Sequence, residues 1–276
     1  MGTRALDLDR WFLIDDEWDG QRAVAAGLVA SERREVVVGT DGPAVAGPAG
    51  ELLATVRTRL SETGSGGVAP LSETGSGGVA PDEHPLVAAR LLVADDLCLL
   101  LPDGPRWLLA AGCVCFPSYW RPRDKVGRPL AAVHDPVPGY PGPLAERVDS
   151  FLGRLAPGRG VWRRNWLIHD VPDLHLPGPH ATEPLPASRS GATEALPVRG
   201  SGRWLRSERQ ALVRLVDHDA VVFSIRTQQV PLGVLGERPD VARALAEALR
   251  GWSPELRAYK GGAVDDAVLR WLDAQS

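Results

Sequence analysis

Residues 97–101 and 107–116 form two apolar runs split by Pro102-Asp103-Gly104-Pro105, and this arrangement constrains the fold more than any other part of the chain. Each run has the length of a strand, and the cluster between them holds the residue types that reverse a chain. Neither run alternates apolar with polar, so the predicted β-hairpin is buried on both faces. Such a sheet needs other layers above and below it.

The flanking segments can supply them. Residues 7–39 read as mostly helical, with Trp11, Phe12, Ile14 and Trp18 as apolar anchors. Residues 141–157 predict an amphipathic helix, with Leu144, Val148, Phe151, Leu152 and Leu155 on one stripe and Pro157-Gly158 as its stop. Residues 161–170 return to strand. Trp162, Arg164, Trp166 and Ile168 take one face; Val161, Arg163, Asn165, Leu167 and His169 take the other. A second hairpin follows, 204–215 and 220–230, around Asp217-His218-Asp219. In its second strand Val221, Phe223, Ile225 and Thr227 share a face, with Val222, Ser224, Arg226 and Gln228 opposite. The end is helical: Val241, Leu245 and Leu249 repeat every fourth residue before Gly251, and Val264, Val268, Leu269 and Leu272 form another stripe.

The predicted class is therefore α+β, an antiparallel sheet of PAS-like topology with a helical insertion, flanked by N- and C-terminal helices. The corresponding divisions are an N-terminal helical region (1–59), a loop and connector (60–94), a PAS-like core (95–235) and C-terminal helices (236–276). Within 60–94, LSETGSGGVAP occurs at 60–70 and again, unchanged, at 71–81. Two copies of a Gly/Ser-rich unit predict a loop rather than a solenoid. Residues 176–202, rich in Pro, Gly, Ser and Thr, predict a second long loop.

Composition removes several function classes. The 276 residues carry a formal net charge of -4, without the broad basic field that binds nucleic acid or an anionic membrane. No apolar run is long enough to span a bilayer, and the polar first residues predict no signal peptide. Three cysteines argue against a disulfide framework and for a reducing compartment, so the cytoplasm is expected. Met1 is the sole methionine, which excludes an internal methionine as a haem or metal ligand. There is no phosphate-binding glycine loop ending in Lys-Ser/Thr, no C-x-x-C and no H-E-x-x-H.

Chemistry concentrates where the first hairpin ends. Cys113 and Cys115 point to one face of a strand, either as thiolate ligands or as small core residues, and without a second pair the core reading is preferred. The chain then runs SYWRPRDKVGRPLAAVHDPVPGY (118–140), interleaving Arg121, Arg123, Lys125 and Arg128 with Tyr119 and Trp120. Arginines set beside aromatics suit carboxylates; they equally suit a solvated loop. His134 closes an apolar stretch before a rigid Pro138-Gly139-Tyr140 turn, as an iron ligand or a hydrogen-bonded core residue. His169, beside Asp170, can be a second ligand, a proton donor or a plain strand-end histidine. Arg226 projects from a strand suited to burial, so it needs a partner, either internal or a ligand's carboxylate.

These segments together resemble the haem-binding, PAS-like catalytic subunit of haem-dependent oxidative N-demethylase, also called dimethylamine monooxygenase. The matching text is DDLCLL (95–100), AAGCVCFPSYWRPRDKVGRPLAAVHDPVPGY (110–140), VWRRNWLIHD (161–170), LRSERQALVRL (205–215), AVVFSIRTQQVPL (220–232) and AYKG (258–261), with RWFLIDD near the start. The resemblance implies haem b in a PAS-like domain. It also implies O2 and a small secondary amine such as dimethylamine as substrates, and primary amine plus formaldehyde as products. Electrons would come from NADPH through a reductase subunit carrying flavin and an iron–sulfur cluster, and formaldehyde would pass to a tetrahydrofolate-linked subunit. The sequence is also compatible with a homo-oligomer. On this resemblance His134 is the proximal iron ligand, with His169 the second choice for that place and otherwise a distal catalytic group, Tyr140 a catalytic pocket residue, and Arg128 and Arg226 the cofactor-binding arginines. The alternatives are a haem-binding PAS-type sensor or redox module without turnover, and a haem-free interaction domain. The absence of an attached output domain counts against the sensor, and the retention of both histidines counts against the haem-free domain.

Overall fold

A computed structural model of the chain describes residues 2–63, 80–140, 142–178, 202–260, 264 and 266–275. Strand β1 (Arg4–Ala5) precedes helices α1 (Trp18–Ser31) and α2 (Arg33–Val36), strand β2 (Val37–Val38), and helices α3 (Pro43–Thr63) and α4 (Pro85–Leu92). The first hairpin is β3 (Asp95–Asp103) and β4 (Arg106–Cys113), followed by α5 (Leu130–Val133) and α6 (Pro143–Arg154). Strand β5 (Gly160–His169) and the second hairpin, β6 (Trp204–Arg214) and β7 (Val221–Pro231), precede α7 (Pro239–Arg250), α8 (Pro254–Lys260) and α9 (Asp266–Ala274).

All strands join one antiparallel sheet in the order β1-β5-β6-β7-β3-β4-β2. Both hairpins stand where the apolar runs place them, and the helical insertion lies between β4 and β5, so the α+β class holds. Register assigns the faces. Leu97, Leu99, Ala111, Ala211 and Val222 turn to the N-terminal helices, where Trp11, Trp18, Leu52, Val56 and Leu86 complete the largest core. Leu100, Leu109, Val221 and Phe223 turn the other way, beneath Leu130 and Leu152 of α5 and α6. A third core joins Ile168 and Leu232 to α7 and α9.

The structure departs from the sequence reading in four places. Ile14 is 40% exposed rather than an anchor, because the turn preceding α1 carries it outward, while Trp11, Phe12 and Trp18 are buried. Within the expected connector, α3 runs to Thr63 and α4 forms with Pro85 in its first turn and His84 Nδ1 accepting from Leu86 N at 3.2 Å. Residues Leu86 to Arg90 of α4 are all buried, so its apolar character runs round the helix and leaves no amphipathic period to read. On α6 the buried stripe holds Ala145 and Leu152, with Leu144 44% exposed. Finally, β1 and β2, from the region expected to be helical, add to the two edges of the sheet. Most of the duplicated unit (64–79) and most of the second expected loop (179–201) lie outside the described residues. No helix among the described residues is long and apolar enough to cross a membrane.

Candidate functional site

The break at the end of β4 is held by a buried carboxylate. Cys115 N and Phe116 N donate to Asp96, each at 2.8 Å, and Arg90 Nε donates to the same carboxylate at 2.9 Å, with both charged side chains fully buried. From the other side, the buried Arg206 donates to the carbonyls of Phe116 and Leu174. Residues 115–119 are thus pinned between β3 and β6, and Tyr119 takes a left-handed φ of 61°, strained for a residue with a side chain.

Further on, Lys125 Nζ donates to Val133 O at 2.7 Å, tying the loop to the end of α5. His134 follows as the cap of α5, with Nδ1 2.9 Å from Leu130 O. A carbonyl only accepts, so Nδ1 carries the proton and Nε2 keeps the lone pair. Tyr140 stacks on the imidazole, ring centroids 4.1 Å apart and planes 17° from parallel. Burial holds His134 below its ordinary pKa, although the Leu130 carbonyl acts the other way, and so favours the neutral, ligating form. Burial likewise raises the Tyr140 phenol to about 12.

His169 ends β5 on the same sheet face, fully buried. Its Nε2 lies 3.2 Å from Ser118 Oγ, and its ring is tilted against Tyr119 at 5.1 Å. His134 with Tyr140 and His169 with Ser118 and Tyr119 are thus two separate groupings, both carried by the segment after β4 and the face it covers.

The two arginines fall elsewhere. Arg128 is exposed, and its backbone carbonyl accepts from Leu109 N at 3.1 Å. Arg226 alternates with Ile225 and Thr227 and therefore faces the N-terminal helices, away from His134. It is fully buried there and donates to Asp15 and Gln21. These partners are internal, the first of the two alternatives open for this arginine. Opposite it in register, burial pushes the Asp95 carboxyl up to about 7, against the pull of Arg226 and Arg90. Cys113 and Cys115 are buried against the N-terminal layer, with Cys115 Sγ 3.9 Å from Ala25 O, which is the core reading. Hydrogen bonding to Cys115 and burial both raise the Cys113 thiol. Among the described residues no group of three His, Cys, Asp or Glu side chains is placed to hold a bare metal ion.

The sheet face beside His134 also carries a polar cluster that the sequence reading did not single out. Arg163 Nε donates to Gln210 Oε1 at 2.9 Å, and Lys260 Nζ to Asn165 Oδ1 at 2.8 Å. Glu208, 7% exposed, accepts from Arg206 (3.1 Å), Asn165 (3.2 Å) and Gln210 (3.0 Å). The signal was the alternation that sets Arg163, Asn165 and His169 on one face of β5, together with the AYKG segment; what was missing was the cross-strand register.

A family model described as haem-dependent oxidative N-demethylase, alpha subunit-like, matches residues 2–269. The chain belongs to this family. It is accordingly an enzyme, an oxidoreductase of the haem-dependent oxidative N-demethylase family, and the alpha-subunit description makes it part of a multi-subunit enzyme. The residues present fit haem. His134 offers a neutral imidazole with its free lone pair at Nε2, oriented by a backbone carbonyl as iron-ligating histidines are. The residue before it, Val133, packs with Leu212, Phe223 and a partly buried Trp120 against the apolar core under α5 and α6.

Proposed function

We propose that this chain oxidatively N-demethylates a small secondary amine of the dimethylamine type. One O2, two electrons, two protons and an N-methyl group yield a carbinolamine and water; the carbinolamine then breaks its C–N bond to give primary amine and formaldehyde. The observation that carries this reading is the family match over residues 2–269, and the His134 imidazole, bonded through Nδ1 to Leu130 O, supports it. Bound haem b supplies the iron chemistry with O2. The chain's own residues would do the rest: His134 would hold the iron through Nε2, Leu130 O and the Tyr140 ring fix the imidazole plane, and His169 with Ser118 would hold a proton at the far end of the same face. The strand order β4-β3-β7-β6-β5, with helices inserted after β4, supports a PAS-like reading of residues 95–235. Electrons arrive from NADPH through a cytoplasmic reductase subunit bearing flavin and an iron–sulfur cluster, with formaldehyde taken up by a tetrahydrofolate-linked subunit; the chain's lack of a phosphate-binding glycine loop agrees with this division.

The test is spectroscopic first. Protein reconstituted with haem is expected to show a Soret band that His134→Ala shifts or abolishes and His169→Ala retains. With a reductase, dimethylamine should release equimolar formaldehyde and methylamine. A Soret band insensitive to His134→Ala refutes the ligand assignment, and haem binding without formaldehyde refutes the activity.

A further inference from the structure

The polar cluster beside His134 is unbalanced in charge. Glu208 is its one carboxylate, and Arg206 already answers it at 3.1 Å. Arg163 and Lys260 remain, and the groups they donate to, Gln210 and Asn165, are neutral amides. Among the described residues neither forms an ion pair. They also sit close enough to repel each other. Burial lowers the Lys260 pKa, Glu208 acts against this, and Arg163 adds to it. The Arg163 charge also acts to lower the pKa of His134 and Tyr140, so it is felt at the imidazole.

Lys260 is partly buried and Arg163 exposed, so the pair keeps a side open to solvent, and two adjoining cations with no carboxylate of their own attract an anion there. Amide partners do not neutralise them, but they do aim them: Gln210 fixes the Arg163 fork and Asn165 the Lys260 ammonium. Contact between β5 and the end of α8, which are 95 residues apart at Asn165 and Lys260, thereby brings together two cations that pair with no carboxylate among the described residues.

We propose that Arg163 and Lys260 form a clamp for two carboxylates, the propionates of the haem, in the role the sequence reading gave to Arg128 and Arg226. This rests on the haem reading above. Two single charges facing two carboxylates leave the site neutral, and the clamp sets which edge of the macrocycle lies over β5. The same chemistry would also accept the carboxylate of an N-methylated amino acid as substrate.

The experiment compares release of haem and of haem dimethyl ester to apomyoglobin from wild type and from Arg163→Gln/Lys260→Met. The ester has the same macrocycle without the two negative charges. The expected result is that the variant releases haem about tenfold to a hundredfold faster, while the ester leaves both proteins at similar rates. Unchanged haem release in the variant overturns the clamp, and an equal acceleration for haem and ester reduces both residues to structural support. If the variant holds haem normally but loses a Soret perturbation that sarcosine causes in wild type, the cations serve a substrate carboxylate and the propionate assignment fails. A wild type without a Soret band overturns the haem reading itself, before any variant is made, and takes the clamp with it.

Discussion

Replacing Asp96 by Asn removes one charge and no volume, and its cost follows from the contacts described above. Asp96 Oδ1 accepts from Arg90 Nε and Cys115 N, and Oδ2 from Phe116 N. The Asn side chain keeps one oxygen, so its NH2 group must face either the Phe116 N–H or the Arg90–Cys115 pair. The less costly choice orphans the Phe116 N–H, at about 1–3 kcal/mol for a buried donor. It also leaves the Arg90 guanidinium, fully buried, without a countercharge, its partners now the neutral Asn oxygen and the Val93 carbonyl at 2.8 Å. Removing one member of a buried ion pair costs about 3–5 kcal/mol, a range that includes such an orphaned donor. For a chain of this size that is a fall of roughly 6–20 °C in Tm, at about 2–4 °C per kcal/mol. Circular dichroism melts and urea titrations of wild type, Asp96→Asn and Asp96→Asn/Arg90→Met measure it. The double variant should recover part of the loss, since Met in place of Arg90 leaves no charge stranded. A single-variant loss below about 1 kcal/mol, or a double variant no more stable than the single, refutes the reasoning.

Two further perturbations probe the frame around the site. Gly39 has φ +69° and a Cβ there would meet Ala110 O at 2.1 Å, so Gly39→Ala should cost at least about 2 kcal/mol in a melt, and a neutral result would refute that close approach. Glu51 closes the β6–β7 turn, accepting from Val216 N, Asp217 N and His218 Nδ1. Burial pushes its pKa up, but these hydrogen bonds outweigh it and the net shift is downward. The stability it contributes is therefore present above the ordinary carboxylate pKa and lost as pH falls through the lowered value; in Glu51→Gln, urea titrations should show a shallower stability decline across that acid range.

What the residue order made legible was the set of elements and the segment that carries the chemistry. The Pro102–Pro105 cluster marks a reversal whatever surrounds it, and His134 stands out because an apolar run ends on it. Arg226 shows the limit. Alternation places it opposite Phe223 and Ile225, but which side of the sheet receives α5 and α6 depends on how the insertion packs, and no local pattern states that. Helix α4 was hidden for a different reason: eight residues, apolar on every side, carry no period. The Arg163–Lys260 cluster was hidden by distance along the chain, since the β5–β6 register and the return of α8 create it together.

The two-residue strands β1 and β2 look minor beside the hairpins, yet they occupy opposite margins of the sheet. Arg4 and Ala5 pair with Trp162 and Val161, while Val37 and Val38 pair with Cys113 and Gly112. An unpaired sheet margin is a template for another chain, and short strands laid along it are a common protection. The N-terminal forty residues thus serve as a clasp over both open sides of the catalytic core. Their partners emerge from synthesis as many as 158 residues later, so each half of the clasp is already made when the margin it covers appears, and neither margin need stand open in the nascent core.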